Sequence, residues 1–113
     1  MRILLKSKIH KATVTDANLE YEGSITIDEA LMEKVDLLEG EQVLVVDNTN
    51  GARLFTYVMK GGRDSGTICM NGAASHLIKK GDKIIIMGFE ITDKPVKVKN
   101  ILVDKENKFV RFL

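Results

Sequence analysis

Apolar and polar positions alternate in short runs along most of this chain, and turn residues interrupt each run before it grows long. Ile3–Leu5 and Ile9–Thr15 are rich in apolar and β-branched residues and predict strands, with turn chemistry following at Thr15-Asp16-Ala17-Asn18. Ile25-Thr26-Ile27 alternates and predicts another short strand. Asp28 then reads as a helix N-cap ahead of Glu29–Val35, a run of good helix formers that is expected to stop near Glu39-Gly40. Leu31, Val35 and Leu38 are expected to share one face of that helix.

Gln42–Asp47 and Arg53–Met59 read as two strands joined at Asn48-Thr49-Asn50-Gly51, where Asn-Gly supplies the positive φ of a hairpin turn. Gly61–Gly66 is a polar loop before a strand at Thr67–Met70, and Ala73–Ile78 predicts one or two helical turns ending at Lys80-Gly81-Asp82. Lys83–Ile91 is a continuous apolar strand, expected to be buried on both faces. Asp93-Lys94-Pro95 breaks it, and Val96–Val103 and Phe109–Phe112 are expected as final strands around a turn at Asp104–Asn107. Many short strands with one or two short helices predict a single mainly-β domain, a compact barrel, over residues 1–113.

Composition narrows the function. The formal net charge is +1, and the only aromatics are four Phe and two Tyr, so there are few stacking platforms for nucleic acid and no strong field to draw it. A basic bias exists in residues 94–113, with six Lys or Arg against two acidic residues, which a solvated edge face explains at least as well as a binding patch. Cys69 is the only cysteine, which excludes an intramolecular disulfide; between Ile68 and Met70 it reads as a small apolar residue of a buried strand. His10 and His76 have no recognisable metal-ligand spacing. The opening run Met1–Lys6 is too briefly apolar for a signal peptide, and no run approaches a membrane span, so a cytoplasmic protein is expected.

The candidate chemistry centres on Gly23-Ser24. A serine hydroxyl attacks the carbonyl before it only from a particular backbone geometry, and glycine at the preceding position is expected to permit a strained one. Attack exchanges the amide for an ester. β-Elimination of the acyl group then leaves a dehydroalanine, which water converts to a pyruvoyl group with loss of ammonia. The first step needs hydrogen-bond donors for its oxyanion, for which Thr56 and Asn71 are the candidates. Three further polar clusters stand at strand-like places: Lys8 with His10, Arg53 with Thr56 and Tyr57, and Asn71-Gly72-Ala73-Ala74. Taken singly, Asn71-Gly72 reads as a hairpin turn, Arg53–Tyr57 as a half-exposed strand and His10 as a solvated strand residue.

Taken in order, Lys8-x-His10, Tyr21-Glu22-Gly23-Ser24, Arg53-x-x-Thr56-Tyr57 and Asn71-Gly72-Ala73-Ala74 resemble the pyruvoyl-dependent aspartate 1-decarboxylases over residues 1 to about 104. The resemblance implies a six-stranded double-psi β-barrel with short helices, and a homotetramer with active sites between subunits. It also implies self-cleavage between Gly23 and Ser24 into chains 1–23 and 24–113. The covalently bound pyruvoyl group derived from Ser24 would then form a Schiff base with the amino group of L-aspartate, yielding β-alanine and carbon dioxide for pantothenate biosynthesis. By the same resemblance Tyr57 is the proton donor and Thr56, Gly72, Ala73 and Ala74 bind substrate, while Arg53 and Lys8, by their charge, are the candidates to hold the substrate's side-chain carboxylate, with His10 in a supporting role. Arg53 carries the planar fork suited to a carboxylate. Where the family commonly has Phe-Ser before the Thr-Tyr pair, this chain has Leu54-Phe55, and its Phe89–Pro95 stretch is shorter than the family's acidic helical segment.

Overall fold

The computed structural model describes residues 1–113. The strands are β1 (Arg2–Thr13), β2 (Asp16–Asn18), β3 (Ser24–Asp28), β4 (Gln42–Asp47), β5 (Arg53–Gly61), β6 (Ile68–Asn71), β7 (Lys83–Thr92), β8 (Lys99–Val103) and β9 (Phe109–Phe112). One α-helix, α1 (Glu29–Val35), and one 3-10 turn, Gly72–His76, complete a mainly-β fold.

The nine strands form one sheet in the order β2-β6-β3-β5-β4-β7-β1-β8-β9. Only Val14 and Thr15 separate β1 from β2, and Thr15 N–H donates to Ile68 O of β6 at 2.8 Å. The run β1–β2 therefore pairs with β7 at one end and β6 at the other. The sheet closes into a ring whose six staves are β1–β2, β7, β4, β5, β3 and β6, with the β8–β9 hairpin laid outside against β1. Alternate residues of the staves fill the centre: Ile9, Ile25, Ile27, Val43, Val45, Val58, Ile68, Met70, Ile84 and Ile86 are all without solvent exposure.

Several local expectations change, each for a physical reason. Ile3–Leu5 and Ile9–Thr13 belong to one strand, because bulges between Leu5 and Ser7 and between Ile9 and Ala12 carry the polar residues without ending the pairing. Lys11, at φ 63, takes up the second bulge, so that Ile9 and Ala12 both face the core. Asp28 caps α1 by accepting from Ala30 N–H at 2.8 Å, as its position predicts. The helix closes earlier than expected, at a left-handed Asp36, so Leu38 is 70% exposed and Leu37 takes its place in the core. β7 is not buried on both faces. Ile84 and Ile86 point inward, whereas Ile85, Met87 and Phe89 are only half-buried and Ile91 is 65% exposed. Val96–Lys97–Val98 does not join β8, which starts at Lys99.

Candidate active site

Ser24 opens β3 and is completely buried. It pairs with Asn71, the last residue of β6, in an antiparallel register that also sets Thr26 opposite Cys69. Since Ile25, Ile27, Ile68 and Met70 face the core, the period of two turns Ser24, Thr26, Cys69 and Asn71 together to the other face. There they form one hydrogen-bonded cluster. Asn71 Nδ2 donates to Ser24 Oγ and to Thr26 Oγ1, each at 3.0 Å, and Cys69 Sγ lies 3.2 Å from Asn71 Oδ1. Ser24 Oγ in turn donates to Glu22 O at 3.1 Å.

On the other side β3 runs parallel to β5, with Ile25 beside Val58. Carrying that register back one residue sets Ser24 beside Tyr57. A cavity of about 450 Å³ opens here, and Gly23, Thr56, Tyr57, Ala73 and Ala74 border it together with Leu54, Phe55 and Leu77. Leu54 and Thr56 belong to the inward side of β5, across from Val45 and Val43, while Phe55 and Tyr57 belong to the outward side. The cavity takes both, so strict alternation does not keep Thr56 and Tyr57 apart.

The expected strain at Gly23 is absent: its φ is not positive, and nothing lies within 4 Å of where a Cβ would be. The constraint falls on Gly72 instead. Its φ is +69, and a Cβ there would stand 2.7 Å from the Cα and N of Gly23 and 2.9 Å from Tyr21 O. Asn71-Gly72 is therefore not a hairpin turn; it seats the Tyr21–Gly23 segment by close backbone approach. Ser75 holds the following turn by donating to Gly72 O at 2.7 Å, and Asn50 Nδ2 donates to Leu77 O at 2.7 Å. As for the expected oxyanion donors, Asn71 has its amide on the Ser24 hydroxyl, while Thr56 borders the cavity.

Lys8, His10 and Arg53 are not part of this cavity. Lys8 pairs with Met87, Met87 with Leu44, and Leu44 with Phe55, so Lys8 is three strand spacings, about 14 Å, from the cavity's edge. Arg53 is exposed at the start of β5, four residues and about 13 Å along the strand from Tyr57. His10 is half-buried; partial desolvation, helped by the Lys8 and Lys11 charges, holds its pKa below the usual 6.5. This outward side of the barrel is apolar. Ile3, Phe55 and Ile91 are each more than 60% exposed and border a second cavity of about 420 Å³ with Phe89, Glu41 and Gln42.

Thr26 and Cys69 were not among the residues expected at the site. Alternation was the available signal: each stands two residues from a singled-out partner, Ser24 or Asn71, on a short strand. Cys69 is half-exposed rather than a core residue, and burial, with the Asp16 carboxylate adding to it, pushes its thiol pKa up.

The family model described as aspartate decarboxylase matches residues 1–110. An aspartate 1-decarboxylase of Acetivibrio thermocellus is 57% identical over 111 residues, covering 95% of this chain and 88% of that protein. Those of Syntrophus aciditrophicus and of a Thermotoga species are 55% and 52% identical, and the matches cover 96% and 97% of their lengths. With a match over nearly all its residues and this level of identity, the chain belongs to the aspartate decarboxylase family.

Proposed function

We propose that this protein converts L-aspartate to β-alanine and carbon dioxide, using a pyruvoyl group that it makes from its own Ser24. The observation that carries the reading is the buried Ser24 hydroxyl, held by Asn71 at 3.0 Å beside a cavity bordered by Gly23, Thr56, Tyr57, Ala73 and Ala74. A carbonyl formed at Ser24 fits that place. The Gly72 backbone packs where no side chain has room, and the Gly23 side is open.

In the maturation step, Ser24 Oγ attacks the Gly23 carbonyl carbon and the Gly23–Ser24 C–N bond breaks, leaving an ester and a free amine on Ser24. Asn71 orients the attacking hydroxyl, and Thr56 stabilises the oxyanion. A base then takes the Ser24 Cα proton, a Cα=Cβ double bond forms as the ester's Cβ–O bond breaks, and chain 1–23 leaves with a carboxylate end. The resulting enamine takes up a proton at Cβ to become an imine, and water then replaces its nitrogen as ammonia, leaving chain 24–113 capped by a ketone. The pyruvoyl carbonyl supplies an electron sink for the decarboxylation.

The remaining roles follow from chemistry and position. Tyr57 keeps its phenol beside Ser24 and holds the proton for the carbon that loses carbon dioxide. Main-chain N–H groups around Gly72, Ala73 and Ala74, with the Thr56 hydroxyl, receive the substrate. Arg53 and Lys8 supply positive charge for the side-chain carboxylate, with His10 in support. Lys8 stands too far along the sheet to reach the cavity of its own chain, whereas Arg53 directly precedes Leu54 at that cavity's border. A homotetramer with sites between subunits would bring Lys8 to a neighbour's cavity, and the exposed apolar side around Ile3, Phe55 and Ile91 is the surface it would bury. We place this enzyme in the cytoplasm, feeding pantothenate synthesis.

Incubation of the purified protein with L-aspartate tests the substrate. β-Alanine and carbon dioxide are expected in equal amounts, and none from Ser24→Ala. A chain that cleaves fully yet releases neither product refutes the substrate assignment.

A further inference from the structure

We infer that Cys69 is a positioning residue for maturation: its S–H, donated to Asn71 Oδ1, turns the Asn71 carboxamide so that the NH2 end faces Ser24. This rests on the maturation reading above. The two ends of a carboxamide have nearly the same shape, so its orientation is set by its partners. The hydroxyls of Ser24 and Thr26 both donate and accept, and by themselves they tolerate either end.

Two contacts select one end. Ser24 directs its hydrogen to Glu22 O at 3.1 Å, which leaves Oγ needing a donor. Cys69 Sγ, 3.2 Å from Oδ1 on the opposite side of the amide, provides a donor where the oxygen must then lie. The alternative acceptor for the thiol, Met70 O, is farther away at 3.9 Å. The result is one directed chain, from Cys69 S–H to Asn71 Oδ1, from Asn71 N–H to Ser24 Oγ, and from Ser24 O–H to Glu22 O. Cys69 and Asn71 share a side of β6 through the period of two, so this geometry follows from the strand. Cys69 does not border the cavity and the polar contacts of its thiol are with Asn71 and Met70 alone, which makes it a positioning residue.

The test is the first-order rate at which the intact 113-residue chain disappears on warming, followed by denaturing mass spectrometry for wild type, Cys69→Ser and Cys69→Ala. A serine hydroxyl donates to Oδ1 as the thiol does, and Cys69→Ser is expected to cleave within about threefold of wild type. Cys69→Ala has no donor and is expected to cleave about five- to tenfold more slowly, with a melting temperature close to that of Cys69→Ser. Equal rates for wild type and Cys69→Ala overturn the inference while maturation stands. Equal slowing of the serine and alanine variants also overturns it, since packing alone would then explain the effect. A wild-type chain that never cleaves overturns the maturation reading and this inference with it.

Discussion

Ser24 accepts from Asn71 and donates to a main-chain carbonyl, so its hydroxyl is oriented, although no neighbouring base is ready to take its proton. Cleavage in such an arrangement depends on how well the hydroxyl and the Gly23 carbonyl are held. Asn71→Ala removes the buried donor to Ser24 and Thr26, a loss of about 1–3 kcal/mol, and is expected to slow chain cleavage by about 10- to 100-fold when the intact mass is followed over time. Gly72→Ala tests the seat beneath the scissile segment. Its Cβ would stand 2.7 Å from Gly23 at a φ of +69, so a lower melting temperature and slower cleavage are both expected. His10 belongs to the same scale. Its folded-state pKa lies below 6.5, so the unfolded chain binds more protons across that interval and stability rises with pH there. An NMR titration is expected to find the His10 midpoint below 6.5, and a midpoint above it would reverse the sign.

At the scale of elements, the turn after β4 is tied to the Lys79–Asp82 turn through two carboxylates. Asp47 is wholly buried; its Oδ1 accepts from Thr49 N–H at 2.8 Å, and as a carboxylate oxygen its Oδ2 has no partner. Protonated, Asp47 donates to Asp82. Burial, together with that bond, raises the pKa of Asp47, and the same bond lowers that of Asp82. The raised group contributes stability below its unfolded pKa and loses it as pH rises through the folded value. The lowered group does the reverse. Asp47→Asn keeps a donor toward Asp82 and removes the buried charge, so it is expected to melt higher than wild type at pH 7, with the gap narrowing toward pH 4. The elements that were legible in the sequence were those whose signals are local: the Asp28 cap, the Asn50-Gly51 turn and the break at Asp93-Pro95. Facing was less legible. An unbroken apolar run in β7 conceals which side looks inward, and only its pairing with β1 and β4 shows Ile85, Met87 and Phe89 turned out. The same limit applied to the site. Gly23-Ser24 and Asn71 stand out as a motif, but Thr26 and Cys69 join them only through the β3–β6 register.

At the scale of the whole molecule, the chemistry divides in two. Ser24, Asn71, Thr26, Cys69 and Gly72 meet within one chain, whereas Lys8 lies on the outward apolar side, three strand spacings from the cavity's edge. Assembly is therefore expected to govern turnover more than self-cleavage. A charge on that side, Ile91→Glu, is expected to shift sedimentation velocity from the proposed tetramer to smaller species. Chain cleavage should continue while decarboxylation falls sharply. Loss of both together would place the maturation machinery, too, across the subunit boundary.

The most direct measurement is a denaturing intact-mass spectrum of the purified, warmed protein. Two species are expected, one with the mass of residues 1–23 and one with that of 24–113, lighter than its serine-started form by the mass of one ammonia. A fragment beginning with unmodified Ser24 would mean cleavage without the carbonyl. An undivided 113-residue chain after prolonged warming would contradict self-processing at Ser24, on which the proposed chemistry depends.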